Sequence, residues 1–261
     1  MTGAVRSSGG GRGGVRRAPA PRKGRPRWWW AGAIGPLVLL CLGAVWYLWG
    51  ERGPDLSRVA NLTAPGETVV FFGDSITQGY GVRPEESFPS LVSGELGLTF
   101  VNAGVPGDTM AAGFARMARD LLPHRPRLVL VEFGGNDFLR RVPVEETLKS
   151  LDAIVHTLVT QGSLVVILEV NVGLVSDPYL KGFRAVAERH GAVLIPNVMR
   201  GILGDPDLKV DTIHPNARGH RLIAARVVKV LRSLLREADR RRGPTRAAAW
   251  QFRLPAFVAV G

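Results

Sequence analysis

The sequence predicts a three-layer α/β/α domain built around a five-stranded parallel sheet. Five short runs of almost continuously apolar residues recur at intervals of roughly thirty residues, the length of one strand–helix–strand unit. Strands of this composition are buried on both faces, which is typical of a parallel sheet covered by helices on either side. The five runs occupy residues 69–72, 99–101, 128–133, 164–170 and 192–195.

The segments between the runs have the periodicity of amphipathic helices. Apolar residues recur there at spacings of three and four, so that one face of each helix packs on the sheet. Three such stripes consist of Met110, Phe114, Met117 and Leu121; of Leu148, Leu151, Val155 and Leu158; and of Ile223, Val227, Val230 and Leu234.

A basic arm and a long apolar segment precede this domain. Residues 1–27 are rich in Gly, Pro and Arg and have little to bury, so we expect them to be disordered. Residues 28–49 carry no charge and have tryptophans at both ends. As a helix they would be about 33 Å long, enough to cross a bilayer core of about 30 Å. Because basic flanks stay in the cytoplasm, the sequence predicts one transmembrane anchor with the domain on the extracytoplasmic, periplasmic side.

A cleaved signal peptide is the alternative interpretation of residues 28–49. The apolar run is longer than that of most signal peptides, and no Ala-x-Ala cleavage site follows Trp49. An uncleaved anchor is therefore the favoured interpretation. The expected order is a cytoplasmic arm, an anchor, a linker, a folded domain and an irregular basic tail, over residues 1–27, 28–49, 50–66, 67–240 and 241–261.

The net charge of +12 does not favour a nucleic-acid partner. Eight basic residues and no acidic residue lie in the first 27 positions, which leaves a charge of only +4 for the rest of the chain. No aromatic or glycine pattern of a nucleic-acid reader accompanies these charges, so we expect no nucleic-acid binding. Cys41 is the single cysteine, which excludes an intrachain disulfide and leaves the compartment undecided.

Candidate functional residues follow the apolar runs, at the carboxyl ends of the predicted strands, where ligands gather in such sheets. The first run ends in GDSITQG, with Ser75 where strand turns into helix. A helix amino terminus favours negative charge, so Ser75 and its N–H suit a nucleophile and an anion donor. A helix-capping serine is the plainer alternative.

Gly107 and Asn136 follow the second and third runs, in NAGVPGDT and GGND. A glycine lets the backbone N–H approach a ligand closely, and a side-chain amide can donate a hydrogen bond into the same cleft. A simple turn and a plain loop are the alternatives for these two motifs.

Asp211 and His214 lie in DTIHPN, before the final helix. A carboxylate three residues before a histidine can accept Nδ1–H and leave Nε2 facing a nucleophile. A loop acid and a helix-start residue are the alternatives. Four histidines without such a nearby acid are expected at the surface or partly packed: His124, His156, His190 and His220.

These four motifs, in this order, resemble the SGNH/GDSL hydrolase family over residues 68–235. The likeness is greatest to a bacterial periplasmic branch of arylesterases, acyl-CoA thioesterases and lysophospholipases, which has the phrases VNA-x-x-x-GDT, LVLVE-x-GGND and D-x-IHPN. The resemblance implies a flavodoxin-like fold with Ser75 as nucleophile, His214 as general base and Asp211 as its orienting carboxylate. It further implies an oxyanion hole of the Ser75 and Gly107 N–H groups and the Asn136 amide.

The expected function is hydrolysis of a small-molecule ester or thioester, without a cofactor or metal. The sequence has no HExxH motif, and the acids near Asp211 lack the pattern of a calcium loop. The loop over residues 169–174 departs from the family's usual segment, so the acyl length is not assigned. Two alternatives stay open: an O-acetyl esterase acting on cell-wall glycan, and a non-catalytic binding module tethered to the membrane.

Overall fold

The computed structural model describes residues 56–170 and 178–242 of the chain. The predicted arm, the predicted anchor and residues 243–261 lie outside this range, as does most of the loop after the fourth strand. Among the described helices, none is both long and apolar enough to cross a membrane. The anchor predicted at residues 28–49 therefore stays a prediction.

Five strands form one parallel sheet, as the sequence predicts. They are β1 (Val69–Gly73), β2 (Phe100–Gly104), β3 (Leu128–Phe133), β4 (Leu164–Glu169) and β5 (Val193–Ile195). Their order across the sheet is β2-β1-β3-β4-β5, and every neighbouring pair is parallel. The chain leaves β1 on one side toward β2 and later returns on the other side at β3. A crevice opens at such a reversal, beyond the carboxyl ends of the strands.

Seven α-helices and three short 3-10 turns are present in the described residues. The helices are α1 (Ser75–Gln78), α2 (Phe88–Leu96), α3 (Met110–Asp120), α4 (Gly135–Leu139), α5 (Val144–Thr160), α6 (Pro178–His190) and α7 (Ala217–Arg242). The 3-10 turns are Pro84–Glu86, Leu122–His124 and Pro206–Leu208.

The sheet separates two apolar cores, which makes the domain three-layered. Val69 and Phe71 point into one core with α2 and α7, whereas Val70 and Phe72 point into the other with α3, α5 and α6. Alternate residues of one strand thus enter opposite cores. This explains why the strands are almost continuously apolar, without the alternation of polar and apolar residues that is typical of a sheet with one face exposed to solvent.

Two details differ from the sequence-based expectations. The predicted linker over residues 50–66 is partly built into the domain, because Leu62 and Ala64 are buried and the Asn61 amide donates to the carbonyls of Val159 and Ser163. Phe114, placed in an apolar stripe, is 43% exposed. Arg116 of the same helix is instead only 8% exposed, and its guanidinium contacts a carboxylate and two backbone carbonyls.

Candidate active site

Ser75 is the first residue of α1 and follows directly on the end of β1. Asp74, not Ser75, caps this helix: its Oδ1 accepts the backbone N–H of Ile76 at 2.9 Å. The helix-capping alternative for Ser75 is therefore wrong. Because Asp74 takes the capping position, the Ser75 hydroxyl is available to another partner at the mouth of the crevice.

That partner is His214, whose Nε2 lies 3.0 Å from Ser75 Oγ across 139 residues of sequence. The other ring nitrogen, Nδ1, is 2.7 Å from Asp211 Oδ2. The exposed ring of Tyr80 packs against the imidazole, with ring centroids 4.5 Å apart. The structure thus brings the predicted nucleophile, base and orienting acid into one hydrogen-bonded series.

Asp211 is held as an anion by its own loop. Its Oδ1 accepts the backbone N–H groups of Ile213 and His214 at 2.9 and 2.8 Å. These bonds, above all the one from the His214 N–H, lower the pKa of Asp211 to about 2. The carboxylate is therefore charged at neutral pH and selects the His214 tautomer with hydrogen on Nδ1.

Asn136 lies next to this series, in α4. Its Nδ2 donates to Asp74 Oδ2 at 3.1 Å and to the backbone carbonyl of Asp108 at 3.0 Å. Gly107 immediately precedes Asp108 and has φ +83°, a conformation that favours glycine. Within the described chain, the backbone N–H groups of Ser75 and Gly107 donate no hydrogen bond.

A pocket of about 220 Å³ opens beside Ser75. The catalytic candidates Ser75, Asn136 and His214 line one end of it. The remaining wall is mostly apolar and is formed by Ile76, Phe138, Leu139, Val170, Met199, Leu203 and Ile213. A polar reacting end and an apolar body are the features of a site for a ligand with an apolar group.

Two buried charged residues beneath the site were missed by sequence reasoning. Glu132, 1% exposed, accepts the N–H and the hydroxyl of Thr77 through Oε2, at 3.1 and 2.7 Å. Arg116 pairs with Asp108 at 2.5 Å and donates to the carbonyls of Gly73 and Ala103 at the ends of β1 and β2. An acid inside the apolar run LVLVEF is the signal that could have revealed Glu132.

The remaining histidines are placed differently from one another. His220 is fully buried, against the expectation of a surface or partly packed role, and its Nδ1 accepts the N–H of Phe88 at 3.2 Å. His190 pairs with Asp152 at 2.8 Å on the far helices. Over residues 56–170 and 178–242, no cluster of three or more His, Cys, Asp or Glu side chains is arranged to hold a metal ion.

The chain is similar in sequence to known ester hydrolases. The profile of the GDSL-like lipase/acylhydrolase family matches residues 71–222, a range that contains all five site candidates. An arylesterase of Vibrio mimicus is 30% identical over 176 residues, covering 63% of this chain and 88% of that protein. Thioesterase 1/protease 1/lysophospholipase L1 of Escherichia coli is 29% identical over 180 residues, covering 66% and 86%.

A solved structure shows the same likeness in three dimensions. The psychrotrophic esterase EstA from Pseudoalteromonas sp. superposes with a TM-score of 0.60 at 25% sequence identity. The match covers 66% of this chain and the whole of that one.

Proposed function

Because the chain belongs to the GDSL-like lipase/acylhydrolase family and is a hydrolase of ester bonds, we propose that it cleaves esters or thioesters of apolar acyl groups through an acyl-enzyme on Ser75. The observation that carries this proposal is the series Asp211–His214–Ser75, with bonds of 2.7 and 3.0 Å, at the mouth of an apolar pocket.

In the first half of the reaction, Ser75 Oγ attacks the carbonyl carbon of the substrate. His214 Nε2 takes the hydroxyl proton, and the charged Asp211 stabilises the imidazolium that forms. Because Asp211 already accepts the Nδ1 hydrogen at 2.7 Å, the imidazole needs no reorientation to act as a base.

The carbonyl oxygen becomes an oxyanion as the tetrahedral intermediate forms. The backbone N–H groups of Ser75 and Gly107 and the amide of Asn136 are the donors proposed for it. Each such donor typically contributes roughly 3–4 kcal/mol to the transition state. His214 then returns its proton to the leaving alcohol or thiol, and water, activated by the same imidazole, hydrolyses the acyl-enzyme.

The pocket favours an apolar acyl group over a sugar. Seven apolar side chains line it, with Asp74 and Thr212 as the polar side chains besides the catalytic candidates, whereas a glycan site needs more polar groups to pair with hydroxyls that lose water on binding. Aryl esters, acyl-CoA thioesters and lysophospholipid-like esters all offer such an acyl group. Hydrolysis of acetylated cell-wall glycan would show that the substrate is the O-acetyl ester of a sugar and not an ester of an apolar acyl group.

The proposal also includes a location. Residues 28–49 are charge-free, are flanked by tryptophans and follow an arginine-rich arm. These features support one transmembrane anchor that holds the catalytic domain on the extracytoplasmic side.

Replacing the nucleophile tests the chemistry. Ser75→Ala should leave the fold intact and lower kcat/KM for a short aryl ester by about three orders of magnitude or more. A fluorophosphonate probe should label the native protein at Ser75 and leave the variant unlabelled. Turnover or labelling that persists in Ser75→Ala would exclude Ser75 as the nucleophile and would favour the binding-module alternative.

The substrate class is tested with the native protein on a graded set of substrates. Nitrophenyl esters and acyl thioesters of increasing acyl length should give a rising and then falling kcat/KM as the pocket fills. Turnover restricted to acetyl groups, with release of acetate from acetylated glycan, would contradict the apolar-acyl proposal and would leave the Ser75 chemistry in place.

A further inference from the structure

Two acidic side chains lie buried in contact beneath the nucleophile. Asp74 is 2% exposed and Glu132 is 1% exposed, and the two carboxyl groups lie close enough for each to affect the pKa of the other. The strand register causes this, because Gly73 of β1 pairs with Glu132 of β3 and Asp74 comes next along the chain. Two buried carboxylates in contact repel each other and have lost their water, so one of the two groups holds a proton.

The hydrogen bonds show which carboxyl group holds it. Both oxygens of Asp74 accept hydrogen bonds, Oδ1 from the N–H of Ile76 and Oδ2 from the amide of Asn136. Glu132 Oε2 accepts two from Thr77, whereas its Oε1 is buried and has no partner at hydrogen-bond geometry among the described residues; the nearby N–H of Asp74 also acts on this carboxyl group and lowers its pKa. A proton on Oε1 explains why this buried oxygen has no donor partner, because a protonated Oε1 donates a hydrogen bond and does not accept one.

The titration behaviour of the two groups points the same way. Burial, with the Asp74 charge beside it, raises the pKa of Glu132 well above its usual value. Burial raises the pKa of Asp74 to about 6, and the hydrogen bond from the N–H of Ile76 acts most strongly against that rise. Both carboxyl groups are thus pushed toward their protonated forms, and the hydrogen bonds that Asp74 accepts from Ile76 and Asn136 favour Glu132 as the group that holds the proton.

We propose that Glu132 is a positioning residue: as a neutral acid it donates its Oε1 hydrogen to the Asp74 carboxylate and so fixes the carboxylate that orients the Asn136 amide. Glu132 does not contact the substrate. The inference rests on the proposed function, because the orientation of Asn136 affects turnover only if an oxyanion forms beside Ser75.

The surroundings of Glu132 leave the acid little freedom. Thr77 holds Oε2 from α1, two residues after the nucleophile. A Cβ added to Gly73 would lie 2.8 Å from Glu132 Oε2 and 2.5 Å from the Glu132 backbone carbonyl. The Glu132 side chain is therefore packed against the backbone of Gly73 on one side and hydrogen-bonded to Thr77 on the other.

Two substitutions separate a neutral donor from a carboxylate. Glu132→Gln keeps the shape, keeps an oxygen for Thr77 and supplies an N–H toward Asp74, so kcat should stay close to the native value. Glu132→Leu removes the donor and should lower kcat by about 10²-fold with little change in KM, as expected for a misplaced catalytic group. Leu158→Ala makes a cavity in the same core at the carboxyl end of α5, next to the start of β4 and at the opposite end of the strands from the site; it controls for lost stability and should keep the native kcat.

Two readouts on the resting protein do not depend on turnover. The infrared difference between native protein and Glu132→Gln should contain the C=O band of a protonated carboxylic acid at neutral pH. The side-chain amide resonances of Asn136 should shift in Glu132→Leu and stay near their native positions in Glu132→Gln.

The outcomes distinguish this inference from the proposed function. Absence of the acid band, or a loss in Glu132→Gln as large as in Glu132→Leu, would overturn the role of Glu132. A native protein without esterase activity would instead overturn the proposed function, and the band and resonances would still decide whether Glu132 orients Asn136. If Glu132→Leu does not fold, the band and the Asn136 resonances of Glu132→Gln decide alone.

Discussion

The amide of Asn136 donates both of its hydrogens to protein oxygens, on Asp74 and Asp108, in the structure without substrate. An oxyanion beside Ser75 would take over the bond to the Asp108 carbonyl, while the Asp74 carboxylate keeps the amide oriented. Asn136 would still make two hydrogen bonds, but the oxyanion would replace a neutral carbonyl as the acceptor of one of them. A negatively charged acceptor binds an N–H donor more strongly than a carbonyl does. Asn136 would thus act mainly in the transition state.

Asn136→Ala should lower kcat by about 10²–10³-fold and leave KM and the melting temperature almost unchanged. The physical reason is loss of one oxyanion donor from a preformed site. Asn136→Asp provides the matched comparison, because it keeps the size and replaces the donor by an acceptor, and it should cost at least as much. Steady-state kinetics and thermal unfolding check this; unfolding of Asn136→Ala would instead assign the residue a structural loop role.

The sequence allowed the site candidates to be predicted, but not what supports them. Ser75, Asn136 and His214 each follow a strand or precede a helix, and parallel strands bring such positions together at one edge. The partner of Glu132 could not be predicted, because the contact with Asp74 depends on the register between β1 and β3. Register is a property of the folded sheet that a single sequence does not specify.

At the scale of elements, Arg116 joins one helix to two strand ends and a loop. Its Nη2 donates to the carbonyls of Gly73 and Ala103, and its Nε pairs with Asp108, whose own carbonyl holds Asn136. The guanidinium also lies 4.5 Å from the centroid of the Phe72 ring. A planar group with several donors is suited to such a junction.

Arg116→Met should lower the free energy of unfolding by about 3 kcal/mol, because it leaves the Asp108 carboxylate without its buried partner. It should also lower kcat, since the Asp108 loop orients Asn136. Arg119→Met on the same helix removes only an exposed ion pair with Asp120 and should leave the free energy of unfolding nearly unchanged. Chemical denaturation of both variants measures the contrast; equal effects would contradict the role of Arg116.

The contact between α7 and α2 should make stability depend on pH. Burial lowers the pKa of His220 from 6.5 to about 4, so the folded protein holds this imidazole neutral. Between these pH values the unfolded chain binds the proton and the folded chain does not. The His220 contribution to stability is thus complete above about pH 6.5 and is lost progressively as pH falls toward 4.

A comparison with His220→Gln isolates this effect, since a glutamine oxygen can still accept the N–H of Phe88. The stability of the native protein relative to His220→Gln should fall by about 3 kcal/mol from pH 7 to pH 4. The comparison is needed because Asp74, with its raised pKa, acts in the opposite direction over part of this range. Denaturation curves at several pH values supply the measurement, and a constant difference would contradict the assignment.

For the whole molecule, apolar runs and helical stripes sufficed to predict the sheet and its two covering layers. All five runs became strands, because a segment apolar on both faces has few other places to be buried. The packing of Leu62 and Ala64 could not be predicted, since the glycine, proline and charge around them are typical of a linker. The burial of Arg116 could not be predicted either, because it depends on the carbonyls of Gly73 and Ala103 and on Asp108, which offer partners to its guanidinium only in the folded chain.

Deleting residues 1–50 should release the protein from membranes and leave kcat for a water-soluble aryl ester unchanged. The reason is that every candidate residue of the site, from Ser75 to His214, lies within the described domain. Fractionation of cells and assays of both forms in the same detergent provide the measurement. Loss of turnover on deletion would show that function resides in the amino-terminal region, and continued membrane association would refute the anchor at residues 28–49.

The closeness of Asp211 and His214 in sequence has a consequence for how the site tolerates change. The two residues contact each other within a single short turn, so the turn alone sets the position of the acid relative to the base. The folded sheet then has to set only one further distance among these three residues, the distance from the His214 imidazole to the Ser75 hydroxyl. Insertions in the intervening loops should therefore be tolerated as long as they keep this distance and leave the Gly107 and Asn136 donors in place.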